Sequence, residues 1–340
     1  MRSVLAILAC ALASRACAGA PDPAWLRPSD ASGEPRWGLS NGIAFAIHPA
    51  PVGRPEGPAG AARGTGGPRG LIRVGYPILA GGAHALVNFI AIEPVVGGRR
   101  AFSELEKSDS DGQPGKIIEA IGPATIGREA AGVQRLVVPL RVESFRNGAR
   151  VCLNVSMRSD HPDELRIAAD ADHGSAPIEQ CILTATMGNL ARARRLWLSD
   201  GFVECQTLYP GHTGDTFAPH TVFPIGQLLR EQDGSALVAI TTDEADPASI
   251  FPFPGTRRWH YPGPPVTQYW RKEQGCFRDD LAAVVNARAT YWATQQPIPG
   301  GPAFENFEFT EKFRGGSPLI FGITRRTPQE LGYPNRPIRN

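Results

Sequence analysis

Leu86-Val87-Asn88-Phe89-Ile90-Ala91-Ile92-Glu93-Pro94-Val95-Val96 is the stretch that decides the fold. Its apolar residues are almost uninterrupted, and no proline appears before Pro94. A run of this kind reads as a strand covered on both faces. Similar extended runs lie on either side. Residues 71–76 precede it. Residues 136–145 follow, with Leu136, Val138, Leu140 and Val142 on one face at the two-residue spacing of a strand. Residues 151–155, 165–168, 181–187, 202–208, 237–242, 304–309 and 319–323 carry comparable patterns. Clusters of Gly, Pro, Asp or Asn separate most of them, as turns and loops require.

Many short strands without regularly interspersed long helices disfavour a doubly wound fold. The expected architecture is mainly β: a large antiparallel β-sandwich, supersandwich-like, with a few short helices. Two segments fit helix and strand equally well. Residues 189–198 read as a short helix capped by Asn189 or as a strand carrying Arg192, Arg194 and Trp197. In residues 279–292, Leu281, Val284, Val285 and Arg288 fit a helix, whereas Leu281, Ala283, Val285 and Ala287 fit a strand.

The first twenty residues have a basic start at Arg2, an apolar run over 4–13 and small residues at Ala16 and Ala18. They read as a signal peptide over 1–18, so the chain is expected to be secreted or periplasmic. Lipidation of Cys10 is the alternative. Residues 19–70 form an N-terminal segment whose 53–69 stretch, nearly all Gly, Ala, Pro and Arg, reads as a flexible loop. Residues 71–340 read as one large domain. The formal net charge of +2 gives no case for nucleic acid binding, and no later apolar run reaches the length of a membrane span. Cys152, Cys181, Cys205 and Cys276 permit two disulfides in any of three pairings, or stand as separate buried thiols. None has zinc-ligand spacing.

Chemistry concentrates in the second half. The 209–220 loop carries Tyr209, His212, Asp215 and His220. Histidine is the natural proton carrier near neutral pH, and two His with a carboxylate can also hold a metal. A second cluster is Trp259-His260-Tyr261 with Tyr269-Trp270-Arg271-Lys272. Aromatic faces suit the C–H faces of sugars, and an Arg fork suits a carboxylate. In the third, strict alternation puts Phe304, Asn306 and Glu308 on one strand face and Glu305, Phe307 and Phe309 on the other. No cofactor is expected. The acidic residues 104–111 resemble a calcium loop only in part. Residues 243–246 read as a solvated acidic turn, and Asn154-Val155-Ser156 matches the glycosylation pattern.

The strand-rich body, Phe217-Ala218-Pro219-His220-Thr221-Val222-Phe223 and Ala303-Phe304-Glu305-Asn306-Phe307-Glu308 resemble secreted bacterial galactose-mutarotase-like, or supersandwich, proteins of polysaccharide metabolism. The resemblance implies a catalytic His on a central strand and a Glu on a late one, in the order of His220 and Glu305 or Glu308. The expected function is a carbohydrate-active enzyme, a polysaccharide lyase acting on a uronate-containing polysaccharide or oligosaccharide. His220 is then the base, with Arg271 or Asn306 neutralising the uronate and Tyr209 or Tyr269 as the acid. His212 and Glu305 complete the catalytic set, and Trp259, Trp270, Tyr209 and Asn306 the substrate contacts. His212, His220, Tyr269, Arg271 and Glu305 are expected to converge on one groove. A hydrolase would instead pair Glu305 or Glu308 with Asp215. A non-catalytic glycan-binding protein would use Trp259, Tyr269 and Trp270 as its platform. An envelope structural protein without a small ligand is a third class.

Overall fold

The computed structural model describes residues 24–26, 36–47, 72–101, 118–186, 192–242, 263–290, 297–298 and 300–338. The signal peptide, the 53–69 loop, the acidic stretches at 104–111 and 243–246, and Trp259-His260-Tyr261 lie outside them. Strand accounts for 53% and helix for 6%, so the chain is mainly β. In chain order the strands are β1 (Trp25–Leu26), β2 (Arg36–Leu39), β3 (Ala44–Ile47), β4 (Ile72–Tyr76), β5 (Ala85–Val96), β6 (Arg99–Arg100) and β7 (Ile118–Ala120). Then come β8 (Thr125–Arg128), β9 (Gln134–Val142), β10 (Val151–Arg158), β11 (His161–Ala171), β12 (Gln180–Thr186), β13 (Ala193–Leu198) and β14 (Gly201–Glu204). The last are β15 (Thr221–Pro224), β16 (Leu229–Arg230), β17 (Ala236–Thr242), β18 (Thr267–Lys272), β19 (Ala282–Arg288), β20 (Ala303–Thr310) and β21 (Pro318–Thr324).

The first sheet has ten strands in the order β1-β2-β3-β4-β5-β12-β20-β19-β15, with β6 beside β5. The second has eleven, β14-β13-β17-β18-β21-β11-β10-β9-β7, with β16 on β17 and β8 on β9. Neighbouring strands in both are antiparallel, and the two sheets face each other as a β-sandwich. β5 contains the apolar run over 86–96. It lies between β4 and β12, and its first ten residues are all buried. Val87, Ile90 and Ile92 enter the main core, while Leu86 and Phe89 pack on the other side with Ala44 and Ala46. In β9, Leu136, Val138, Leu140 and Val142 all point inward, as their alternation requires.

One core joins the sheets. Phe45, Phe304, Phe307 and Phe309 come from the first; Val155, Ile167, Trp270 and Phe321 come from the second. Each such side chain contributes about 1.5–3 kcal/mol by leaving water. Trp270 also crosses the gap, its indole N–H donating to the carbonyl oxygen of Phe307 (2.8 Å). At one end Gly42 lies against Pro162, where any Cβ would come within 2.1 Å of the Pro162 carbonyl oxygen. The neighbouring Ile43 amide donates to that same oxygen (2.7 Å).

Both ambiguous segments fold as strands where they are described, giving β13 and β19. Each is paired on both sides in its sheet, β13 by β14 and β17 and β19 by β20 and β15, and tertiary pairing overrides the local helical pattern. The 202–208 run is split: β14 ends at Glu204, and Cys205–Leu208 forms one helical turn. Strict alternation also fails in β20. Between Val285↔Phe307 and Ala287↔Phe304 the register shifts, so Glu305 and Asn306 together oppose Asn286. The extra residue of this bulge turns Phe304, Phe307 and Phe309 all into the core. No disulfide joins the four cysteines.

His84 gives the fold a pH dependence. It is buried, and its Nε2–H donates to the Gly42 carbonyl oxygen (2.9 Å). Burial lowers its pKa below the ordinary 6.5, against the pull of that hydrogen bond. Above 6.5 the imidazole is neutral in folded and unfolded chains alike, and its contribution is intact. Below 6.5 the unfolded chain takes the proton first, so stability falls with pH until the folded state also protonates. Urea midpoints should therefore drop between neutral and mildly acidic pH, and drop less for His84→Gln. Equal drops in the two proteins would rule His84 out as a source.

Candidate functional site

A polar row crosses the outer face of the first sheet. Because Phe307 and Phe309 enter the core, Glu308 between them points outward; likewise Asn286 lies between inward Val285 and Ala287. Glu308 stands opposite Thr184 on β12 and Val284 on β19. The Thr184 hydroxyl donates to Glu308 Oε2 (2.6 Å), and an Arg100 Nη donates to the same oxygen (2.8 Å). Arg100 Nε also pairs with Glu93. Glu93 and Glu308 are 1% and 0% exposed, so one guanidinium holds two carboxylates out of water. Glu308 Oε1 is buried without a hydrogen-bond partner. At the other end Asn286 Oδ1 accepts from the Asn306 amide N–H (3.0 Å), and Asn286 Nδ2 lies 3.4 Å from His220 Nε2.

His220 keeps much of its ring in solvent at the end of this row. Even so, solvation lost against the sheet lowers its pKa. The Glu308 anion pulls it partly back, and the Arg100 cation pushes it further down. The imidazole is therefore neutral near pH 7 and available to accept a proton. Phe217 and Val222, on either side of His220 in the chain, are 41% and 57% exposed. Arg288 stacks beneath Phe217, its Cζ 5.0 Å from the ring centre, and donates to the Asp215 carbonyl oxygen (2.8 Å). Asn306 is half-buried beside Asn286.

The expected convergence on one groove does not occur. Trp270 faces the first sheet, so the pleat sends Tyr269 and Arg271 to the outer face of the second. His220 and Arg271 thus lie on opposite outer faces of the sandwich. Arg271 donates Nε to Glu164 Oε1 (2.8 Å) and an Nη to Oε2 (2.6 Å), which occupies its fork. Burial works against the Arg271 cation, yet Glu164 and Glu231 hold its pKa above the ordinary value. The Tyr269 hydroxyl donates to the same carboxylate (3.2 Å), and burial raises its pKa well above 10. Its ring covers Gly322, where any Cβ would come within 1.9 Å of it. Arg158–Asp160 and Arg166–Glu273 pairs complete this face, which is a lattice of satisfied charges.

Four more expectations change. Trp270 is wholly buried and offers no sugar platform. Tyr209 packs edge-on against Phe304 (6.4 Å between ring centres), and its hydroxyl donates to the Val285 carbonyl oxygen (2.9 Å). Burial pushes its pKa up to about 12, and its role is structural. His212 Nε2 contacts the Thr216 carbonyl oxygen (3.1 Å), bracing its own turn. Glu305 is buried in the β20 bulge, and Asn306 stays on the His220 row. Among the described residues, no group of His, Cys, Asp and Glu could hold a metal ion, and no helix is long and apolar enough to cross a membrane.

Sequence reasoning missed Arg100, Glu93, Thr184 and Asn286. Three of these left a signal: each of Glu93, Thr184 and Asn286 is a polar residue set in a largely apolar strand. A polar group at such a position lies in the core or on a covered outer face, and in either place it requires partners.

Fold and site together define a two-sheet antiparallel β protein with a neutral, solvent-facing histidine beside a buried Arg–carboxylate cluster. No family model, no curated protein and no solved structure matches this chain.

Proposed function

We propose that the protein is a carbohydrate-active enzyme, a polysaccharide lyase that cleaves a uronate-containing glycan by β-elimination at the His220 face. The observation that carries this reading is the neutral imidazole of His220, exposed between exposed Phe217 and Val222. Apolar side chains at such a place pack on the C–H faces of sugar rings. Asn306 donates to the uronate carboxylate and makes the adjacent C5 proton more acidic. His220 takes that proton, and the C5–H electron pair becomes the C4=C5 double bond. The C4–O bond breaks, and the leaving oxygen receives a proton from the imidazolium, which restores neutral His220. Paired-carboxylate hydrolysis is less favoured, because Glu93 and Glu308 are buried and bound to Arg100. With the N-terminal reading of the sequence, the reaction belongs to an extracellular or periplasmic setting.

Purified protein incubated with a panel of uronate polysaccharides should generate the ultraviolet absorbance of an unsaturated uronate. New reducing ends without that absorbance would replace the lyase with a hydrolase. Glycan retention with neither product would leave a binding protein.

A further inference from the structure

Lys272 has no part in the His220 face, and it is the third inward residue of β18 after Gln268 and Trp270. Its side chain is 2% exposed and its Nζ pairs with Glu311. The pair borders a narrow pocket between the sheets, lined by Leu183, Phe309, Leu319 and the exposed Arg314. The void measures about 30 Å³, room for roughly two water-sized groups. Glu311 Oε2 is buried and lacks a hydrogen-bond partner. Packing alone does not account for this arrangement, since apolar residues of similar volume serve as well as a buried ion pair. An amine, a carboxylate with one open oxygen and a small void meet at one point.

We propose that this pocket takes a one- or two-carbon aldehyde, which Lys272 captures as an imine. Glu311 first accepts a proton from the ammonium. The freed nitrogen lone pair attacks the carbonyl carbon, one N–H proton passes to the new alkoxide, and Glu311 returns its proton to the resulting hydroxyl, so that water leaves as the C=N bond of a protonated imine forms. Burial draws the Lys272 ammonium down to about 8; Arg314 adds to this, while Cys276 and Asp280 oppose it. Cys181, the thiol on the pocket wall, does not compete, because burial pushes it up to about 12 and keeps it protonated.

The test treats the full chain with acetaldehyde and cyanoborohydride at neutral pH and maps ethylation by peptide mass. The sequence has four lysines, Lys107, Lys116, Lys272 and Lys312. Lys272 should be ethylated at least about 10-fold faster than the other three, because far more of it is unprotonated. Glu311→Gln should slow Lys272 alone, and Lys272→Met should abolish the fast product. Ethylation of Lys272 at or below the rate of the other lysines overturns the proposal, and that comparison within the wild-type protein requires no variant to fold.

Discussion

His220→Ala should lower turnover on the responsive glycan by about 100-fold, the usual scale for removing a general base. Its side chain is largely exposed, so thermal stability should hardly change. Glycan retention should survive, since Phe217 and Val222 remain. The wild-type rate should rise with pH along a limb below 6.5, because only neutral imidazole accepts the proton. Glu308→Gln removes the anion that favours imidazolium, so that limb should move to lower pH. Glu308 is fully buried and acts through His220, not on the substrate. A moved limb separates this electrostatic role from simple loss of packing. If His220→Ala turns over at the wild-type rate, the imidazole has no place in the chemistry.

Arg100→Ala should destabilise the fold by about 3–5 kcal/mol, the scale for stranding a buried charge. Glu308 would keep only the Thr184 hydroxyl on Oε2, with Oε1 already open. Glu93 would lose the same cation. Chemical denaturation measures the loss directly. Adding Glu308→Gln to the Arg100→Ala background should recover a substantial part of it, because a buried amide is far less costly than a buried carboxylate. Without that recovery, the loss would have to come from the packing of the arginine stem rather than from charge.

Antiparallel β architecture was legible in the apolar run over 86–96 and in the alternation of Leu136, Val138, Leu140 and Val142. A strand's period is fixed by its own backbone and needs no partner to be read. His220 and Asn306 were legible as chemistry-bearing residues on the same ground, since residue type alone sets what a side chain can do. What they stand beside was decided by pairing. Arg100 meets Glu93 seven residues away but Glu308 two hundred and eight away, across a sheet order that no local pattern encodes. The β20 bulge turned Phe304 and Phe307 to one face against strict alternation, and only the register with β19 specifies it. Tyr269, Trp270 and Arg271 looked like one cluster in the chain. The pleat divides them, Trp270 into the core and its neighbours onto the outer face, because successive residues of a strand point to opposite sides and the stacking of the sheets decides which side is inside.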